Sequence, residues 1–161
     1  MNRPRSEGRT DDRHALADAI RNLAHQIEAL PESTADLLEA LSFLLARVAD
    51  ADRRISAEEA LAMERTLADH TGVSSAQAAL IVEIAKHRAR LADRGMAYAE
   101  SRLLRDRLDD VERLGVLGRL HAVAAADGEA TGCELDEIHE LAAELGFTSG
   151  EVAALRRRLH A

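Results

Sequence analysis

The chain has 161 residues, 47% of them hydrophobic but only 2% aromatic, and a formal net charge of −8. That length suits one domain with its own core, and the apolar content is mostly Ala and Leu, strong helix formers whose small members let helices approach closely. The acidic balance argues against general nucleic-acid binding, whose affinity comes from neutralising phosphates with Lys and Arg.

A single cysteine, Cys133, excludes an internal disulfide and fits a reducing cytoplasm. No apolar run approaches the roughly 20 residues that span a bilayer, and the opening MNRPRSEGRTDDRH lacks the apolar centre of a signal peptide. The expectation is a soluble, cytoplasmic, all-α protein that is not membrane-inserted.

Residues 1–10 are polar, carry Pro4 and Gly8, and read as a disordered lead-in. Residues 11–31 read as an additional helix capped by Asp11 or Asp12. In it Leu16, Ile20, Leu23, Ile27 and Leu30 alternate steps of four and three, a helix-packing seam that ends at Pro31. Docking on its own domain is the ordinary use of such a seam, and a homodimer contact is the sharper one. A helical domain over 34–161 follows. Its first helix places Leu37, Leu38, Leu41, Leu44, Leu45 and Val48 on one face, and the next runs from about Ala57 to Thr71 and stops at Gly72. Leu80, Ile81, Ile84, Ala85 and Leu91 mark another. The stretch LADRGMAYAESRLLRDRLDD reads as a loop around Gly95 and a short helix through Leu103 and Leu104. Val111, Leu114, Leu117, Leu120 and Ala124 line a helix, and the last two carry Leu135, Ile138, Ala142 and Leu145, then Val152, Leu155 and Leu159. Arg156, Arg157 and Arg158 suit the carboxyl end of the final helix as a solvated face.

The two halves repeat. Val48, Ala49, Ala51, Asp52 and Glu59 match Val123, Ala124, Ala126, Asp127 and Glu134, with Ser56 opposite Thr131; TGVSSAQAAL from Thr71 then lies against LGFTSGEVAA from Leu145. Each half is helix, acidic turn, helix, Gly-containing turn, helix, which predicts one bundle with internal pseudo-symmetry rather than an array.

Much of this acidity is explained by capping. Ser56 to Glu59, Ser74 to Gln77, Thr131 to Glu134 and Thr148 to Glu151 all satisfy Ser/Thr-x-x-Glu/Gln. Asp52 and Asp127 differ, because each follows the carboxyl end of a helix, where the dipole disfavours an anion. An Asx turn could offset that cost, and so could a cation held between each aspartate and the glutamate one turn later. Oxygen ligands without a Cys or His cluster suit Ca²⁺, Mg²⁺ or Mn²⁺. An EF-hand is excluded, since the twelfth position counted from Asp50 or Asp127 is Leu61 or Ile138. Asp50, Glu58 and Glu129 lie near enough in sequence to contribute.

These turns, the second reading Ala126-Asp127-Gly128-Glu129 with Thr131 and Glu134, resemble the TerB-like domain of tellurite-resistance and related bacterial stress proteins, over roughly Asp36 to Leu159. The resemblance implies a compact bundle of about seven to eight helices in two pseudo-symmetric halves. It also implies no catalytic activity, and a divalent-cation site at Asp52, Glu59, Asp127 and Glu134. Arg53 stands where that pattern usually has Gly, and Ala130 where a larger aliphatic is common.

Enzyme chemistry finds little support. The one near match to the Glu-x-x-His of di-iron bundles is Asp136-Glu137-Ile138-His139, and it is single; His121 reads as a core residue, and Cys133 has no basic neighbour. A metal-dependent hydrolase would need a general base apart from the ligands. The expected function is a stress-response module that binds a divalent cation, uses no organic cofactor and acts through a protein partner, such as the cytoplasmic segment of a membrane protein. The alternative is a metal-independent helical adaptor or dimerisation domain.

Overall fold

A computed structural model of the chain describes residues 7–159, with side chains for residues 12–158. The described residues form eight α-helices and no strand: α1 (Glu7–Glu28), α2 (Glu32–Ala49), α3 (Ala57–Thr71), α4 (Ser75–Leu91), α5 (Arg94–Arg107), α6 (Asp110–Ala124), α7 (Gly132–Glu144) and α8 (Ser149–Leu159). The chain divides into two units whose boundary falls between Ala35 and Asp36.

In the first unit α1 starts at Glu7, so residues 7–10 are helical rather than part of a polar lead-in. Nothing there breaks a helix: Pro4 lies upstream, and Gly8 costs only about 1 kcal/mol relative to Ala. The expectation for residues 1–6 lies outside what is described, and Asp11 and Asp12, expected to cap the helix, fall inside it because it starts a turn earlier. The helix ends in a tight turn, with Leu30 N donating to Ile27 O before Pro31.

The second unit is built around α2. Leu38, Ala40, Leu41, Phe43, Leu44, Leu45, Ala46, Val48 and Ala49 are all buried, so from Ala40 onward this helix is enclosed on every side rather than along one face. Ala40, Ala46 and Ala49 make that enclosure feasible, because neighbouring helices can close on an Ala surface where a Leu would hold them off. Around α2, α3 packs on α4 and α6, and α7 packs on α5, α6 and α8. The order α2, turn, α3, α4 recurs as α6, turn, α7, α8, with α5 joining the halves.

Sequence periodicity misplaces α5, which spans 14 residues through Gly95 rather than forming a loop and a short helix. Its start is fixed by Asp93, whose carboxylate accepts from Met96 N at 2.8 Å, and Gly95 falls in the first turn, where a flexible residue does least harm. Leu104 and Ser101 anchor its inner face. Another polar tie crosses the core. Arg47 of α2, 13% exposed, reaches Glu137 at 2.5 Å and Glu144 at 3.3 Å on α7, and the buried Ser101 hydroxyl of α5 donates to the same Glu144 oxygen at 2.5 Å. Leu159, expected in the core, lies outside the described side chains.

Candidate functional site

The two acidic turns fold by the same local rules. After α2, Ala51 N donates to Val48 O and Arg53 N to Asp50 O; after α6, Ala126 N donates to Val123 O and Gly128 N to Ala125 O. Each turn then hands over to a capped helix. Ser56 Oγ accepts from Glu59 N at 3.0 Å while Glu59 Oε2 accepts from Ser56 N at 2.7 Å; Thr131 and Glu134 repeat the box, with Glu134 Oε2 also accepting from the Thr131 hydroxyl.

The backbone of the first turn carries a strain that the second avoids. Arg53 has φ 64°, in the left-handed region, whereas its counterpart Gly128 takes φ 143° as only glycine readily does. The turn needs a positive φ after the aspartate, and only one half has the residue suited to it. Arg53→Gly is expected to raise unfolding free energy by about 0.5–1 kcal/mol, the left-handed penalty less the added entropy of the unfolded chain. Urea denaturation checks this, and a loss of stability would show that the Arg53 side chain contributes more than its backbone costs.

The pairing of the glutamates follows from the caps. Each carboxyl is folded back over its helix start, and each is 2% exposed, so both turns point one glutamate inward. Glu59 and Glu134 come within hydrogen-bonding reach of each other. Burial, and after it the hydrogen bond with Glu134, pushes the Glu59 carboxyl up from 4.5 to about 7, against the opposing pull of the Ser56 N–H and hydroxyl. The box at Thr148 and Glu151 is a control within the same chain. There the carboxylate is fully exposed and the same cap hydrogen bonds lower its pKa. Identical capping chemistry gives opposite shifts, so the inward packing and the facing acid decide the behaviour of Glu59.

The aspartates are placed differently. Asp52 is half-buried and its Oδ1 accepts from Arg54 N at 2.9 Å, closing an Asx turn, while Asp127 is exposed. Among the described residues no group of three or more His, Cys, Asp or Glu is placed to hold a metal ion. The fold thus joins the two glutamates and leaves the two aspartates at the turns. Of the neighbouring acids, Asp50 is engaged by Arg90 at 3.3 Å, and Glu58 and Glu129 are exposed. His121 is buried, as a core histidine.

A family model described as tellurite resistance protein TerB matches residues 38–157. The chain belongs to the TerB family. The match lies wholly in the second unit and takes in both acidic turns, so α1 stands outside the TerB domain. No curated protein and no solved structure matches the chain. No described helix is long and apolar enough to cross a membrane.

One set of residues escapes sequence reasoning: Arg47, Glu137, Glu144 and Ser101. Arg47 gives a signal, as a lone cation in the apolar run LLEALSFLLARVA, and the spacing of Glu137 and Glu144 by two helical turns places both on one face of α7.

Proposed function

We propose that this TerB domain is a non-catalytic, cation-responsive interaction module, serving a bacterial stress response connected with tellurite resistance and working in the cytoplasm. The observation that carries the reading is the buried meeting of Glu59 and Glu134, one from each half, with a carboxyl that keeps its proton to about pH 7. Two such oxygen donors fit a hard divalent cation such as Ca²⁺, Mg²⁺ or Mn²⁺, and no organic cofactor is called for. Glu59 and Glu134 would hold it from the inside, and Asp52 and Asp127, which the fold leaves at the turns, would have to swing in to complete the set. Bound there, it would supply the positive charge that the Glu59 proton now supplies.

The chain's own part is mechanical. Each glutamate caps a helix, so fixing the two carboxyls together fixes the start of α3 against the start of α7 and with it the two halves. A protein partner, such as a cytoplasmic segment of a membrane protein, would read that arrangement, and α1 would add self-association. The competing reading is a metal-independent adaptor, favoured by the capping boxes and by the Asx turn at Asp52, which account for three of the four acids without a cation.

Calorimetric titration of metal-stripped protein with each cation separates the two. Binding is expected in the parent and lost in Asp52→Asn/Asp127→Asn and in Glu59→Gln/Glu134→Gln. Titration in buffers of different ionisation enthalpy should show proton release near pH 6. At a hundredfold excess over Kd the cation should stabilise the fold by about 2.7 kcal/mol. Absence of binding up to millimolar cation would leave the adaptor reading standing.

A further inference from the structure

The seam on α1 has a heptad register that becomes readable once the helix is known to be continuous from Glu7 to Glu28. With Ile20 and Ile27 at the a positions, Leu16, Leu23 and Leu30 fall at d. β-branched residues at a with Leu at d are the combination that favours two parallel strands over three or four. Not one of the five is buried, and Leu16 and Ile20 are 62% and 47% exposed.

The residues flanking the seam decide the partner. Between Leu16 and Leu30 the e and g positions are Ala17, Ala24, Ala19 and Gln26, all uncharged. One turn earlier the same register puts Asp12 at g and Arg13 at a, so the seam stops at Leu16. Identical chains in parallel register always bring their own flanking charges close together, and in a protein of net charge −8 that would normally oppose self-association. Here Asp18, Arg21, His25 and Glu28 all fall at the outward b and f positions. A lipid surface is a poorer fit, because α1 sets five acids against three Arg and lacks the Lys and Arg excess that anionic headgroups attract.

We propose that α1 pairs with α1 of a second copy of this chain as a short, parallel, in-register two-stranded coil. The pairing rests on the self-association element of the function proposed above, and gives it a register and an orientation. With only five seam residues on each helix, the dimer forms in a concentration-dependent way.

Sedimentation equilibrium of the full chain from about 1 µM to about 1 mM should show the weight-average mass doubling. Ile20→Asp/Ile27→Asp should raise the midpoint of that transition by more than about tenfold, or abolish it, because two carboxylates would face their copies across an apolar seam. Neither isoleucine is buried, so the variant should keep the parent's cooperative thermal melt, and its cation titration should match the parent's because every acidic turn residue is intact. Orientation is read from Leu16→Cys in a Cys133→Ala background. In the parallel register the introduced thiol lies opposite its own copy within disulfide reach, whereas in an antiparallel pair centred on Leu23 the two thiols lie about 21 Å apart. A monomer at every concentration, a dimer that survives Ile20→Asp/Ile27→Asp, or a dimer in which Leu16→Cys fails to cross-link would each overturn the proposal. Loss of cation binding without loss of the dimer would count against the proposed function alone.

Discussion

At pH 8 the Glu59→Gln protein is expected to be more stable than its parent, by an amount on the order of 3 kcal/mol, and at pH 4.5 the two should melt alike. The sign follows from the direction of the shift. Glu59 holds its proton to about pH 7 in the fold but only to its ordinary 4.5 when unfolded. The folded state therefore binds the proton more tightly. Its contribution is whole below 4.5 and drains away as pH rises to 7, because above that an anion is buried against a second acid. Glutamine keeps the neutral form at every pH. It also keeps the cap: Gln77 performs the same role in α4, accepting from Ser74 N at 2.8 Å while its own N–H donates to Ser74 Oγ at 3.2 Å. Urea denaturation at half-unit steps from pH 4.5 to 8 measures the difference between parent and variant. Carboxylates remote from the Glu59–Glu134 pair are common to both proteins and cancel. Parallel curves would mean that burial and the Glu134 hydrogen bond do not hold the Glu59 proton in the fold.

The same pair shows what a sequence can and cannot convey. The repeat of turn, hydroxyl and glutamate is visible, because capping chemistry is local and each box closes within four residues. That the two glutamates meet depends on how α3 and α7 sit around α2, and no periodicity encodes it. The aspartates illustrate the converse. Their placement after a helix end suggests a ligand, yet Asp52 finds a purely local answer in Arg54 N. Helices are legible where stripe and stop signal agree, as in α3, which ends at Gly72 with φ 74°. They blur at α5, where Gly95 reads as a break although Asp93 has already fixed the start. In α2 the apolar stripe reveals one face, but its alanines and Phe43 close the others, and a small side chain looks the same in sequence whether it is covered or bare.

Replacing Arg47 by Met is expected to cost about 3 kcal/mol, more at pH 8 than at pH 5, because it leaves two half-buried glutamates facing each other with no cation between them. Glu137 already shows the tension. Burial pushes its carboxyl up even though Arg47 pulls it down, and Glu140 and Glu144 add to the upward push. Without the guanidinium only protonation can relieve that charge, so acid should restore part of the loss. Arg47→Met/Glu137→Gln/Glu144→Gln should recover most of it at every pH, since what destabilises is the unpaired charge rather than the missing contact. Chemical denaturation of the single and triple variants at pH 5 and 8 tests this, and a triple variant no more stable than the single one would assign the loss to packing of the Arg47 stem. The consequence reaches the acidic turns. Arg47 holds α7 to α2 and Ser101 ties the same Glu144 to α5, while the first turn of α7 carries Glu134. Loosening that tie lets Glu134 drift from Glu59, which weakens the hydrogen bond that helps raise the Glu59 pKa. Arg47→Met should therefore move the Glu59 titration back toward 4.5, although it touches neither turn.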